Sequence, residues 1–122
     1  MASFDVTVSV EPEYLRVTTV GLYAFGEMFE FLERVKIEAA NANKGKVLID
    51  SRRLEGPMTE AERFAGGQKI AELFGGSLKT ALLMPRDNIT KLGELAAVNR
   101  GARFLVTNSE SEALSWLIGP AI

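Results

Sequence analysis

Apolar and polar residues alternate at the beginning of the chain, which is the pattern of a β-strand. Positions 4, 6, 8 and 10 are apolar and the residues between them are polar, so one face of this strand should meet solvent. A second β-rich stretch at 14–20 follows the turn around Pro12, and Gly21 then interrupts the pattern. Because the link between the two stretches is so short, they predict an antiparallel hairpin.

The hydrophobic period then changes to that of a helix. An apolar stripe over 25–43 predicts the first helix, and a similar stripe over 89–98 predicts a later one. Asp87 or Asn88 is the expected cap of that later helix, because short polar side chains accept hydrogen bonds from the free amides of a first turn.

Two further helix starts are predicted from capping residues. Thr59 and Glu62 have the spacing of a capping box, and Ser109 repeats it with Glu112. The helix that begins after Thr59 contains Gly66-Gly67, where a glycine costs roughly 1 kcal/mol relative to alanine. Such a pair inside a helix indicates close packing or a local kink.

The stretch KVLID at 46–50 predicts a strand buried on both faces. Val47, Leu48 and Ile49 are consecutive, so they cannot all point to the same side of a sheet. Both sides should therefore be covered, as in a central parallel strand. Asp50 is the predicted end of this strand, and it would lie at the mouth of the sheet, where α/β proteins commonly bind ligands.

Two more short apolar stretches, 80–84 and 102–107, complete the predicted strands. The order is β-β-α-β-α-β-α-β-α, which predicts an α/β protein with one mixed sheet of about five strands and about four helices. After the hairpin, the strands should run parallel through right-handed crossovers. With 122 residues and no linker in view, we expect a single domain covering 1–122.

Composition excludes several kinds of chemistry. The chain has no cysteine and no histidine, so it lacks thiolate nucleophiles, the usual general base and the commonest metal ligand. Its formal net charge of −2 disfavours nucleic acid as a partner. No targeting segment or membrane-spanning stretch is predicted, and we expect a cytoplasmic protein.

Known phosphate-binding and catalytic motifs are also missing from the sequence. Gly45-Lys46 has no glycine five residues before it and is followed by Val47 in place of a serine or threonine, so it is not a P-loop. The spaced glycines of dinucleotide-binding proteins and a nucleophile elbow are absent. The sequence therefore predicts no cofactor, no metal and no catalytic residue.

The candidate binding residues lie around the predicted mouth of the sheet. Asp50 could bind a partner or ligand, or simply pair with a nearby arginine. Ser51 is a weaker candidate, and Thr59 could receive an anion at a helix start or act only as a cap. Four arginines could gather near the loops as an anion-attracting patch, or could be scattered surface charges. They are Arg52, Arg53, Arg63 and Arg86.

Several local strings make the sequence similar to the SpoIIAA-like family, within the wider group of STAS domains. They are the strand ending in Asp50, the TEAER start at 59–63, the RGARF stretch at 100–104 and the EALSWL ending at 112–117. The resemblance covers nearly the whole chain. It implies a compact α/β domain without enzymatic activity, related to anti-sigma-factor antagonists that bind a partner kinase.

Phosphorylation of a serine in an Asp-Ser-Ser-Gly type motif switches those antagonists. The corresponding region here reads EGPMT at 55–59, without that motif, so the switch is not carried over. The family is also similar to the CRAL-TRIO lipid-binding fold, which implies that a small apolar ligand is an alternative.

Three hypotheses follow from the sequence. The first is a non-catalytic interaction domain that binds a protein partner or its own copy, because Phe25, Met28, Phe29 and Phe31 could leave one face uncovered. The second is binding of a small apolar or anionic ligand near 50–59. The third, ranked last, is an enzyme that uses Asp50 with a lysine or arginine.

Overall fold

The computed structural model describes residues 3–119. This range contains five β-strands and four α-helices. None of the helices in this range is both long and apolar enough to cross a membrane. The described range also contains one short 3₁₀ helix, Arg86–Asn88, and the nine main elements are given next. In chain order these are β1 Phe4–Val10, β2 Leu15–Leu22, α1 Phe25–Asn41, β3 Lys46–Glu55, α2 Glu60–Phe74, β4 Lys79–Leu83, α3 Leu92–Val98, β5 Arg103–Thr107 and α4 Glu110–Ile118.

The strands form one mixed sheet in the order β1-β2-β3-β4-β5. β1 and β2 are antiparallel, and the later neighbours are parallel. Helices α1, α2 and α3 pack on one face of the sheet and form what we call the helical layer, whereas α4 packs on the opposite face. The predicted fold class and the order β-β-α-β-α-β-α-β-α are confirmed.

β3 lies at the centre of this sheet, between β2 and β4. Val47 and Ile49 point into the core beneath the helical layer, and Leu48 points into the smaller core beneath α4. All three side chains are at most 1% exposed. The prediction that this apolar run is covered on both sides is confirmed, and each side chain buried in this way contributes about 1.5–3 kcal/mol.

The predicted end of β3 at Asp50 was wrong, because the strand continues to Glu55. Pairing with β4 does stop at Asp50, but β2 extends further and pairs with β3 as far as Glu55. β2 can extend because Gly21 belongs to it: a Cβ at Gly21 would lie 2.7 Å from the Ser3 carbonyl oxygen. Glycine, which also tolerates the φ of 135° found here, lets the hairpin strands approach.

Helices α2 and α3 cross at a pair of glycines. A Cβ on Gly67 would lie 2.2 Å from the carbonyl oxygen of Gly93, and a Cβ on Gly93 would lie 2.9 Å from that of Arg63. Neither distance is compatible with a side chain, so the two backbones are in direct contact. Close packing is therefore the reason for a glycine inside α2.

The predicted start of α3 was also wrong. The helix begins at Leu92, after Lys91 in a left-handed conformation with φ of 66°, and neither Asp87 nor Asn88 caps it. Asp87 and Asn88 lie in the 3₁₀ turn. Ile89 is apolar because it packs from a loop against the core beneath the helical layer.

At the outer edge of β5, side chains from the start of α3 bind the backbone of Val106. The carboxylate of Glu94 accepts the Val106 N–H at 2.6 Å, and the ammonium of Lys91 donates to the Val106 carbonyl oxygen. These bonds satisfy backbone groups that would otherwise be open to another strand. At the other side of the sheet, β1 pairs only with β2 among residues 3–119.

Candidate functional site

Four charged side chains form a closed cluster beside α4, which we call the ion cluster: Arg16, Asp50, Arg52 and Glu110. Arg52 holds Asp50 with two side-chain hydrogen bonds of 2.9 and 2.8 Å, and its backbone N–H adds a third at 3.2 Å. Arg16 contacts the carboxylates of Asp50 and Glu110 at 2.9 Å each. Arg52 also reaches Glu110 at 2.9 Å. Two cations and two carboxylates therefore neutralise one another and tie β2, β3 and α4 together.

The ion cluster shifts the ionisation of both carboxyl groups. Hydrogen bonds from Arg52, opposed by partial burial, hold the pKa of Asp50 below its ordinary value. A hydrogen bond from Arg16 likewise lowers the pKa of Glu110. Glu110 also lies in the first turn of α4, where the helix dipole favours a negative charge. Both groups are ionised in the folded protein at neutral pH.

Acid should therefore destabilise the fold. A carboxyl group whose folded pKa is depressed contributes stability that is present above its unfolded pKa and is lost as the pH falls through the folded value. For Asp50 and Glu110 the unfolded values are near 3.8 and 4.5. Urea unfolding should give a constant free energy from pH 7 to about pH 5 and a steady decrease below that.

Glu27 also contributes to the loss of stability at low pH, because hydrogen bonds from Ser3 lower its pKa. The contribution of the ion cluster is measured by repeating the pH titration with Asp50→Asn. In this variant the free energy of unfolding should decrease less steeply below pH 5. A variant slope equal to the wild-type slope would contradict the role of Asp50.

Ser51 is directed away from the ion cluster. Two residues of β3, Ser51 and Arg52, lie opposite Thr19 of β2, so β3 has a bulge at this point. Alternation along β3 already places Ser51 on the side of Ile49, opposite to Asp50. Arg52 reaches Asp50, whereas Ser51 is buried against Thr19, with 2.8 Å between the two hydroxyl oxygens. Asp50 and Ser51, predicted as neighbours in one site, face different surroundings.

The remaining predicted residues do not join the ion cluster. Thr59 caps α2 in a complete capping box, because its hydroxyl accepts the Glu62 N–H at 3.1 Å and the Glu62 carboxylate accepts the Thr59 N–H at 2.9 Å. Arg53 and Arg86 are exposed. Arg63 donates to the carbonyl oxygen of Asn88 at 3.1 Å and pairs with Glu60 at 3.3 Å. Since Arg52 and Arg63 are already paired, the four arginines do not act as one free anion-binding patch.

Two adjoining cavities lie between the sheet and the helical layer. The first has a volume of about 70 Å³ and the second about 60 Å³. We call them the loop-side cavity and the hydroxyl-side cavity, because the first reaches the loop before α3 and the second reaches Ser51 and Thr19. Both are lined by the same four apolar side chains, Met58, Ile70, Leu82 and Met84.

The chemistry available to these groups is limited. A general base that works near neutral pH needs a pKa close to the working pH, and the pKa of Asp50 is shifted the other way. Among residues 3–119, no group of three or more acidic, histidine or cysteine side chains could hold a metal ion. The ion cluster is therefore suited to holding elements together.

Sequence reasoning missed Arg16, Glu110 and Tyr23. Arg16 lies 34 residues from Asp50 and 94 from Glu110, so no local motif joins them. The one available signal was the alternation of β2, where Arg16 stands between the buried Leu15 and Val17 and must point to the other face. Tyr23 lines the hydroxyl-side cavity and has a buried hydroxyl, which nothing in its local sequence indicated.

Known structures resemble this chain in fold. An anti-sigma factor antagonist from Mycobacterium paratuberculosis matches with a TM-score of 0.64 and 12% identity over 94% of each chain. An uncharacterized protein from Shewanella loihica with a SpoIIAA-like fold matches with a TM-score of 0.57 and 18% identity, again over 94% of each chain. The unphosphorylated anti-sigma factor antagonist SpoIIAA matches with a TM-score of 0.53 and 14% identity, over 98% of this chain and 99% of SpoIIAA.

No protein-family model and no curated protein sequence matches this chain. The solved structures establish its architecture: this chain has the SpoIIAA-like fold of STAS domains. The resemblance seen in the sequence is thus confirmed at the level of the fold.

Proposed function

We propose that this chain is a non-catalytic regulatory domain that works by binding another protein. Two of the solved structures with this fold are anti-sigma factor antagonists, which is the first support for the proposal. The second support comes from the chain itself, because the charges at the mouth of the sheet are paired with one another and leave no evident reactive group.

The observation that carries this proposal is an exposed apolar surface on the outside of the helical layer. Phe64 is 37% exposed on α2, and Leu95 and Val98 are 54% and 45% exposed on α3, the helix that crosses it. We call these three residues the α2–α3 surface. Apolar and aromatic side chains gathered on neighbouring helices are typical of protein-binding sites.

A cation contacts this surface, and further aromatic side chains are exposed on α1. The guanidinium group of Arg100 lies 5.2 Å from the centre of the Phe64 ring, and on α1 the rings of Phe25 and Phe29 lie edge to face at 5.5 Å. Phe25 and Phe29 are part of the face that the sequence suggested would be uncovered, whereas Met28 and Phe31 pack towards the core. A partner at the α2–α3 surface would thus meet the Phe64 ring with a cation beside it.

The proposal is tested by capture of the partner from the native cells, followed by direct binding. Wild-type protein and the variant Phe64→Glu/Val98→Glu are used as baits, and captured proteins are compared by quantitative mass spectrometry. The purified partner is then titrated by calorimetry. We expect the double variant to bind at least tenfold more weakly, because a charge would be buried in an apolar interface.

The matched control is Ile37→Glu, which adds a charge at an apolar residue of α1 that is 58% exposed and lies outside the α2–α3 surface. It should bind like the wild type. Light scattering of the wild type and the double variant determines whether the partner is a second copy of this chain. Equal affinity of the wild type and the double variant for every captured partner would contradict the α2–α3 surface as the binding site.

A second candidate function is binding of a small ligand beneath the helical layer. The two cavities favour it, because the hydroxyl-side cavity includes Ser51 and both cavities include Met58, within the 50–59 region indicated by the sequence. Asp50 and Arg52 are engaged in the ion cluster and line neither cavity. The cavities therefore favour an apolar ligand over an anionic one.

A further inference from the structure

We infer that the two cavities together bind one small, neutral and mostly apolar molecule that carries a hydroxyl or carbonyl oxygen. This inference rests on the second candidate function and is independent of protein binding. The site is the hydroxyl-side cavity, continued into the loop-side cavity past Leu82 and Met84. It differs from the site predicted by the sequence because it excludes Asp50 and all the arginines of β3.

The volume of the site determines the size of the molecule. With about 70 and 60 Å³, each cavity alone has room for a few atoms. Together they approach the roughly 150 Å³ that admits a benzene ring into an apolar protein core. Three methionines, Met28, Met58 and Met84, line the hydroxyl-side cavity, and their flexible side chains can adapt to a ring. A molecule about the size of one six-membered ring fits these limits.

The hydroxyl pair supplies the first polar contact. Thr19 and Ser51 are 1% and 4% exposed and line the hydroxyl-side cavity. The Thr19 hydroxyl donates to the Ser51 oxygen at 2.8 Å, and Ser51 donates in no other side-chain hydrogen bond within residues 3–119, so its hydroxyl is available as a donor. A buried donor without an acceptor costs free energy, so an oxygen atom of a bound molecule would satisfy it.

Tyr23 supplies a second hydroxyl beside the same cavity. Its oxygen is fully buried and has no hydrogen-bond partner in the described part of the chain. Burial, together with the nearby negative charge of Glu62, raises the pKa of Tyr23 to about 12, although Glu62 does not meet the geometry of a hydrogen bond. Tyr23 is therefore protonated at neutral pH and can donate.

The lining of the hydroxyl-side cavity determines the charge of the molecule. None of its thirteen lining residues is charged. The loop-side cavity does include Arg63, Lys91 and Glu94, but Arg63 is paired with Glu60, and Lys91 with Glu94. An anion would therefore lose its hydration without gaining a cation, at a cost of several kcal/mol. An apolar body with a single oxygen acceptor matches a wall that is apolar apart from three hydroxyls.

The experiment uses benzene and phenol as a matched pair of probes, which differ by one hydroxyl group. Protein labelled with ¹³C at methionine and isoleucine methyl groups is titrated with each probe, and chemical shifts are followed by NMR. We expect concentration-dependent shifts at Met28, Met58, Met84 and Ile70, which line the cavities. Ile118 packs on the opposite face of the sheet and should not shift, so it is the internal reference.

Phenol should bind roughly three- to tenfold more tightly than benzene, because it gains one hydrogen bond. Tyr23→Phe removes one of the two proposed donors, so it should reduce this difference and leave benzene binding unchanged. Since it deletes a buried hydroxyl that has no partner, this variant should fold normally. Leu82→Phe, at the boundary of the two cavities, should prevent binding of both probes.

A second blocking variant, Gly66→Ala, is available if Leu82→Phe does not fold. The new Cβ would lie 3.3 Å from the end of Met28 and would push this side chain, which lines the hydroxyl-side cavity. Methyl shifts no larger than that of Ile118 with either probe would overturn the inference. Equal affinities for phenol and benzene in the wild type would overturn its polar part. Neither result would affect capture of a partner through the α2–α3 surface.

Discussion

Replacing Gly67 with alanine is expected to lower the free energy of unfolding by about 3 kcal/mol, at the upper end of the usual cost of overpacking. The added Cβ would lie 2.2 Å from the carbonyl oxygen of Gly93 and 3.0 Å from the side chain of Ala96. Since the nearest obstacle is backbone, α2 and α3 must move apart. The helix propensity gained by alanine, about 1 kcal/mol, is too small to compensate. Urea unfolding measures this loss, and the melting temperature should fall by about 12 °C.

Gly26→Ala is the matched control, because it makes the same change in a helix where a Cβ would meet nothing within 4 Å. It should leave the stability unchanged or raise it slightly. A loss of less than 1 kcal/mol for Gly67→Ala would mean that the two helices separate easily and that their glycine contact is not a stabilising constraint.

Replacing Asp50 with alanine is expected to destabilise the protein by about 2–3 kcal/mol. The change removes the carboxylate that pairs with both Arg16 and Arg52 and leaves Glu110 as the partner of two guanidinium groups. The Asp50 side chain is only 11% exposed, so water cannot fully replace its contacts with the two arginines. Urea unfolding at pH 7 measures the loss, and circular dichroism checks that the fold is retained.

Glu60→Ala is the control for this second prediction. Glu60 pairs with Arg63 at 3.3 Å, but its side chain is 61% exposed, and exposed pairs of this kind contribute less than about 1 kcal/mol. A double-mutant cycle with Arg52→Met then isolates the coupling between Arg52 and Asp50. If Asp50→Ala were as stable as the wild type and lost a specific activity, an enzymatic role of Asp50 would be favoured over a structural one.

The fold could be predicted because local patterns and global packing agree. Alternation identified β1, a β-rich stretch identified β2, helical periodicity identified α1, and a capping box identified the start of α2. The run from Val47 to Ile49 identified the central strand, because only a strand covered on both faces can hide three consecutive apolar side chains. These signals come from residues close together in the chain.

The candidate site could be predicted only in part, because its contacts join distant segments. Asp50 was predicted to end the buried strand, which in fact continues to Glu55. The pairing of Asp50 with Arg52 was among its expected roles. The alternation along β3 places Ser51 on the side of Ile49, opposite to Asp50, and this local signal was not used. The contacts of Asp50 with Arg16 and Glu110 depend on distant segments, which no local pattern encodes. The start of α3 was misjudged because Ile89 has the hydrophobicity of a helix position and the packing of a loop.

The unequal margins of the sheet limit how copies of this chain could join strand to strand. Lys91 and Glu94 occupy the backbone groups of Val106 on one margin, while the margin at Phe4–Val10 has no neighbour among residues 3–119. Endless stacking into a fibril needs two open margins per molecule. With the Val106 groups of one edge occupied, addition across the other edge is favoured, and it stops at a symmetric pair. The lysine and glutamate beside β5 thus also oppose polymerisation.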